Sequence, residues 1–321
     1  MFAKNTLTII LFFVIIGAMR VVQKICSKKV SNEIEGDTYF HYGGYYQLLS
    51  AVFSLISLVF YGFYGLNWTM FFYAAGSAVF MAIVIFTEIE ALKGSSLIVG
   101  QMFDAGAIFI PCLFGNFFIV GQKMNVWQWV GLVIFMAAMY LMVSQGKEQK
   151  TEETEGTKKQ KISLKTFIML MLLLLASGGT MVVQNAFGNL VEDGNTAMYS
   201  FVMFAINALV LYICYLVKAL FFKKTSGTEA VEEKKGKALK PLSKTLLICG
   251  AFLAVALFAI NLLVTELTSM IKPSLLFSLS YAIAIIVTML VGRILYKEKM
   301  SCRNIVGMGL CVISLAIMTF L

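Results

Sequence analysis

Long apolar runs follow one another along this chain, separated by short polar intervals. Runs at 5–25, 39–62, 67–92, 95–119, 126–144, 165–190, 197–222, 245–270, 273–293 and 303–321 each approach the ~20 residues that a helix needs to cross a bilayer. The runs are continuous rather than alternating, which predicts helices and not the short strands of a membrane barrel. The expected fold is an all-α membrane protein with ten transmembrane helices.

The polar punctuation repeats. Gly17-Ala18-Met19-Arg20-Val21-Val22-Gln23 in the first run returns as Gly178-Gly179-Thr180-Met181-Val182-Val183-Gln184 in the sixth. Thr87-Glu88 returns as Thr265-Glu266, and Lys123-Met124 with Gly131 returns as Lys299-Met300 with Gly307. The offset lengthens between the first match and the later ones because the connection at 223–244 is longer than its counterpart at 62–67. Two copies of a five-helix unit are expected: 1–145, a charged linker at 146–164, and 165–321. An odd number of spans per copy inverts the second copy, and duplicated carriers of this kind hold their site between the halves.

Composition agrees with the pattern. The 321 residues are 60% hydrophobic and 13% charged, which excludes an ordinary soluble domain. The first run lacks a small-residue cleavage pattern and is followed by Arg20, Lys24, Lys28 and Lys29, so it is expected to be a span and not a cleavable signal. The cysteines (Cys26, Cys112, Cys214, Cys249, Cys302 and Cys311) have no paired or metal-ligating spacing, so no disulfide framework, metal or cofactor is expected.

The net charge of +9 concerns orientation, not nucleic acid, which is not expected as a partner. With ten spans, Lys4, Lys123 and Lys272 fall on one side and Arg20 within the first span. All the other Lys and Arg residues fall on the opposite side. The positive-inside rule makes that richer side cytoplasmic, including the loops at 146–164 and 223–244, and leaves both termini extracytoplasmic. The expected location is the plasma membrane, with the lipid bilayer as solvent. Mixed charge without apolar periodicity marks both loops as flexible linkers.

Against this background each ionisable residue within a run needs a reason, since one costs at least ~2.5–3.5 kcal/mol at mid-depth. Asp104 lies about ten residues into the fourth run, so ~15 Å deep at ~1.5 Å per residue. It is either a substrate- or proton-binding carboxylate or a structural acid between helices, and its counterpart region Ser280–Ile283 holds no acid. Arg20, Lys24 and Lys28 share one helical face with Gln23 and Ser27 beside them. Lys24 and Lys28 are expected to snorkel to the headgroups. Arg20, a turn deeper, either snorkels likewise or lines a vestibule, where it attracts an anionic group or pairs with Asp104. The matching face of the sixth run carries Ser177, Gln184, Asn185, Gly188 and Asn189.

Glu88 and Glu266 lie late in the third and eighth runs, which puts them near opposite interfaces, solvated or closing a gate; they are counted as lesser candidate substrate contacts. Glu90 faces away from Glu88. His41 begins the second run. Pro111 should kink the fourth, and Pro273 suits the first turn of the ninth. Tyr39, Tyr42, Tyr45, Tyr46, Trp68, Trp127 and Trp129 cluster near run ends, as belt residues do.

Two short motifs reach a family. Tyr296-Lys297-Glu298-Lys299-Met300 followed by Gly307, and Gly121-Gln122-Lys123-Met124 followed by Gly131, stand before the last helix of each half. With the doubled five-run pattern they resemble the drug/metabolite transporter superfamily, in its ten-helix EamA-like branch. Glutamine replaces the usual glutamate in the first copy. The resemblance implies a secondary carrier that moves a small molecule by alternating access, most readily an exporter of metabolites or amphipathic compounds. It further implies that Arg20, Gln23, Asp104, Gln184, Asn185 and Tyr281 belong to cavity-lining helices. The fifth and tenth helices would lie outside the cavity as a surface for a homodimer. Relatives of that branch keep both termini in the cytoplasm, opposite to what the lysines here argue. An uptake carrier or exchanger for an anion, held by Arg20, is the competing transport reading. A membrane-embedded enzyme would need a nucleophile, metal cluster or His/Asp set that this sequence does not offer.

Overall fold

The computed structural model describes residues 6–34, 38–114, 125–143, 163–191, 194–221, 242–268, 270–271, 273–295 and 302–320. Among them every regular element is an α-helix. The order is α1 Thr6–Ser31, α2 Thr38–Tyr61, α3 Trp68–Gly94, α4 Leu97–Gly106, α5 Phe109–Phe114, α6 Val126–Val143, α7 Leu164–Leu190, α8 Thr196–Phe221, α9 Lys244–Thr268, α10 Pro273–Leu295 and α11 Cys302–Phe320. Six of these, α1, α2, α3, α7, α8 and α9, are long and apolar enough to cross a membrane. Shorter apolar helices cover Leu97–Pro111, Val126–Ala138, Leu279–Leu295 and Ile305–Ser314. This is the architecture of a multi-pass, all-α membrane protein. The linker residues 146–162, the loop residues 222–241 and the motif residues 121–124 and 296–300 lie outside the described residues.

Local chemistry sets the helix ends. Asn67, Ser96, Ser163 and Ser243 each accept a hydrogen bond from the backbone N–H three residues on, filling a donor that the first turn leaves open. The α2–α3 turn runs through Gly62 and Gly65 at φ +89° and +79°, a region that favours glycine. Pro273 opens α10, as its spacing predicts.

The fourth run divides into two helices. Pro111 has no N–H for the carbonyl of Ala107, and Ile110 takes that oxygen instead at 3.1 Å in a tighter turn. The break therefore falls at Ala107–Ile108, a turn before the proline, and Asp104 sits within the last turn of α4.

Helices of the N-terminal part pack on those of the C-terminal part. The pairs are α1 with α9, α3 with α7, α2 with α8 and α6 with α11, while α10 touches α1 and α4, and α7 touches α4 and α5. Two close approaches depend on glycine. A Cβ on Gly17 would lie 2.5 Å from Ile283 Cγ2, and one on Gly178 would lie 2.4 Å from Ile110 Cδ1 and 2.8 Å from the Ala107 oxygen. The fifth and tenth runs, α6 and α11, pair within the chain, with Ser314 Oγ donating to the Gly131 carbonyl at 2.5 Å.

The interior holds two apolar clusters. Cys26 and Val30 of α1 join one, together with residues of α2, α3, α8 and α9. Phe12, Phe13 and Ile16 of α1 join the other, with α4, α6, α10 and α11. Between these stretches α1 carries Arg20, Gln23 and Lys24, all buried. Outward, large apolar side chains such as Val59, Phe60, Trp68 and Phe72 are exposed, as a lipid-facing surface requires.

Candidate functional site

A charged centre stands at the seam of the two clusters. Lys24 Nζ lies 2.7 Å from Glu88 Oε1 and 3.0 Å from Asp104 Oδ2. All three residues are buried, at 1%, 5% and 5% exposure. Each carboxylate also holds a neutral donor: Gln23 Nε2 donates to Glu88 Oε2 at 3.3 Å, and Ser177 Oγ donates to Asp104 Oδ1 at 2.8 Å. Ser177 is midway along α7, whereas Lys24 and Glu88 lie in the last third of α1 and of α3. Four helices, α1, α3, α4 and α7, supply the groups.

Two sequence expectations are corrected here. Lys24 does not snorkel, because α1 continues past it to Ser31 and carries it between α3 and α4. Glu88 is not a solvated interfacial acid, since α1 covers it and its ammonium partner comes from that helix. Lys28 does reach a helix end, but a protein one: its Nζ donates to the carbonyls of Leu92 and Ser95 at 2.6 and 2.8 Å. A cation there complements the C-terminal end of α3.

Asp104 is paired with Lys24 rather than with Arg20. The Arg20 guanidinium lies over the Tyr281 ring, 3.9 Å from its centroid, and within electrostatic reach of Asp104. Such stacking contributes ~0.5–2 kcal/mol depending on desolvation. Arg20 Nε, the Tyr42 hydroxyl and both ends of the Gln101 amide are buried without a hydrogen-bond partner among the described residues. Gln101 precedes Asp104 by three residues and so shares its face of α4.

Tyr42 and Tyr46 are not belt residues. Both are buried on α2, with rings in edge contact at 5.2 Å, and both lie within electrostatic reach of Glu88. Trp68 and Trp127 remain exposed at helix starts, as a belt would have them.

The amides of α7 form a separate, neutral cluster. Gln184 Nε2 donates to Asn261 Oδ1, and Asn261 Nδ2 donates to Ser200 Oγ at 2.7 Å. Asn185 accepts at its side-chain oxygen from Asn189 at 2.7 Å, and its own Nδ2 is buried without a partner among the described residues. Gln184 and Asn185 therefore share α7 with Ser177 but are not joined to the charged centre by a direct hydrogen bond. Glu266 is half-buried and accepts from Thr196 Oγ1 at 3.0 Å, at the start of α8.

A second ionic group lies toward the surface. Glu90 holds Lys165 of α7 and the Tyr39 hydroxyl, with Lys93 at 3.5 Å. It faces away from Glu88, as its helical position predicts. His41 is half-buried beside the Tyr215 ring, 5.4 Å between centroids.

The sequence points to Asp104, Arg20, Gln23 and Ser177, and to Glu88 as a lesser candidate, but not to Lys24 as the partner of both acids. Asn261 and Ser200 were also missed. For Asn261, an amide within the apolar stretch 246–264 is the available signal.

No family model matches the chain, and no curated protein matches it. The chain is similar to a solved structure described as "Crystal structure of protein", over 95% of each chain, with a TM-score of 0.61 and 14% identity. At that identity the likeness concerns the fold.

Proposed function

We propose that this chain is a secondary carrier of small metabolites or amphipathic compounds, working by alternating access around the Lys24–Glu88–Asp104 centre, with export as its direction. One observation carries the reading. Two carboxylates and one ammonium are buried together where α1, α3, α4 and α7 meet. Buried ion pairs are not a general source of stability, because desolvation offsets their attraction. In the second half Glu266 repeats Glu88, but Asn185 stands opposite Lys24, Met181 opposite Arg20, and nothing acidic opposite Asp104. A scaffold that packs without the lysine and the aspartate in one half does not need them in the other, so a role in binding is the better account of their presence.

The proposal takes the chain as ten spans in two inverted five-helix repeats. Exchange of partners between the halves supports this: α1 packs on α9 as α7 packs on α3, while α2–α8 and α6–α11 pair like with like. The glycine that α1 sets against Ile283 is the repeat counterpart of the one that α7 sets against Ala107 and Ile110. The plasma membrane, cytoplasmic loops at 146–164 and 223–244, and extracytoplasmic termini complete the reading. The outer faces of α6 and α11 would serve a homodimer.

In this mechanism Asp104 and Glu88 hold a proton or cation that is exchanged as the halves rock, and Gln23 and Ser177 orient the carboxylates. The unpartnered Arg20 Nε favours one alternative, an exchanger that holds an anion on that guanidinium. Proteoliposomes challenged with a panel of labelled metabolites test the reading. Saturable flux that D104N removes supports it; absence of flux above protein-free liposomes, or flux and pH dependence unchanged in D104N, contradicts it. Loss of flux in R20Q but not in D104N would select the anion exchanger.

A further inference from the structure

Resting on that carrier reading, we propose that Glu88 and Asp104 form a site for an organic monocation of the ammonium type, and that Lys24 is its tethered occupant, displaced when cargo enters.

The geometry argues this in three steps. First, each carboxylate commits one oxygen to a neutral donor, Gln23 or Ser177, and turns the other on a single ammonium, at 2.7 and 3.0 Å. The two acids come from different helices, so their convergence on one cation is a product of the tertiary fold. Both carboxylates turn an oxygen on the one position that Lys24 Nζ fills, so another cation can take it only when the lysine leaves. The site thus holds one cation at a time.

Second, the surroundings suit an organic cation. The Tyr42 and Tyr46 hydroxyls lie within electrostatic reach of Glu88, and the Tyr281 hydroxyl within reach of both Glu88 and Asp104. Tyr281 already carries a cation on its face, the Arg20 guanidinium at 3.9 Å. Aromatic faces attract cations through the ring quadrupole, most strongly when desolvated. The Tyr42 hydroxyl and the Gln101 amide are buried without partners among the described residues, and would supply oxygens for further N–H groups.

Third, the present occupant is removable. Lysine places a compact charge on a flexible four-carbon stem, so its Nζ can withdraw while α1 stays in place. Exchange of Lys24 for a free monocation leaves the charge of the site unchanged. When cargo departs, Lys24 returns and restores the charge that the loaded site carried. An empty carrier can then reorient, which permits net transport instead of obligatory exchange. The neutral Asn185 at the repeat position could not do this, which explains why the lysine stands in one half alone.

The test uses the purified full chain in nanodiscs, with n-propylammonium chloride as probe and equimolar potassium chloride as control, read by calorimetric titration. A built-in competitor lowers apparent affinity by the fraction of time the site is free, so K24A should bind propylammonium on the order of tenfold or more tightly than wild type. Potassium should not substitute, and adding E88Q to K24A should weaken binding at least as much. No saturable binding to K24A, equal affinity in K24A and wild type, or indifference to E88Q each overturns the proposal. Should K24A not give a cooperative unfolding transition, K24Q removes the same ammonium and is judged by the same criteria. This experiment reads binding alone. Its failure leaves the carrier with another cargo, whereas absent flux in the liposome assay removes the carrier and leaves the cation site.

Discussion

Lys24 and Asp104 stand 3.0 Å apart, one from α1 and the other from the last turn of α4, and neither reaches solvent. The Lys24 ammonium also lies 2.7 Å from Glu88, so a single side chain ties α1 to two neighbouring helices. Its removal leaves two carboxylates facing each other. K24A is expected to lower unfolding stability in mixed micelles by about 3–5 kcal/mol, the range for breaking a buried ion pair from one side. The triple variant K24M/E88Q/D104N, with no charge left unpaired, should recover most of the loss. A K24A protein as stable as wild type would contradict the arrangement.

The outer ionic group should behave differently. Lys165 is 67% exposed at its side chain and contacts Glu90 across α3 and α7. Water and salt screen such a pair, so K165Q should change stability by less than about 1 kcal/mol, and less again at high ionic strength. Chemical denaturation of K24A and K165Q side by side checks the contrast. A K165Q effect as large as that of K24A would mean that the surface group carries the interface.

Ser177 supplies the neutral bond to Asp104 at 2.8 Å. A hydrogen bond to a charged group contributes about 1.5–3 kcal/mol, so S177A should be intermediate between those two variants. It should also weaken transport less than D104N, because the carboxylate itself remains. Paired flux and unfolding measurements on S177A decide this. Transport in S177A equal to wild type, with unchanged stability, would detach Ser177 from the centre.

Glycine positions separate close packing from lipid-facing surface. A Cβ on Gly178 meets the Ala107 oxygen at 2.8 Å, where backbone must shift, while a Cβ on Gly309 of α11 meets nothing within 4 Å. G178A should therefore destabilise by about 1–3 kcal/mol. G309A should be neutral or stabilising by up to about 1 kcal/mol through helix propensity. Thermal unfolding of the two variants compares them directly, and equal effects would contradict the close approach of α7 to the α4–α5 break.

Much of the scaffold is legible in the apolar runs. The run at 39–62 became α2 at Thr38–Tyr61, and the run at 165–190 became α7 at Leu164–Leu190. Sequence and structure part where charge ends an apolar run. The first run ends at residue 25, but α1 continues to Ser31 because Lys24 and Lys28 find partners on α3 and α4 within the protein. Hydropathy treats every lysine as unpartnered, so a run cannot reveal an ion pair between residues 24 and 88. For the same reason position along the chain alone makes Glu88 an interfacial residue and Tyr42 and Tyr46 belt residues. Asp104 was found because an acid in an apolar run is conspicuous by itself. Pro111 announced a kink, though only the freed Ala107 carbonyl fixes it a turn earlier.

The central claim, a carrier worked by the buried charge centre, is tested most directly by solute flux in proteoliposomes of wild type and D104N, run with the same metabolite panel and across a range of pH. The account predicts saturable, pH-dependent flux of at least one solute in wild type and its loss in a D104N protein that remains folded. Flux and pH dependence that D104N leaves unchanged would contradict it.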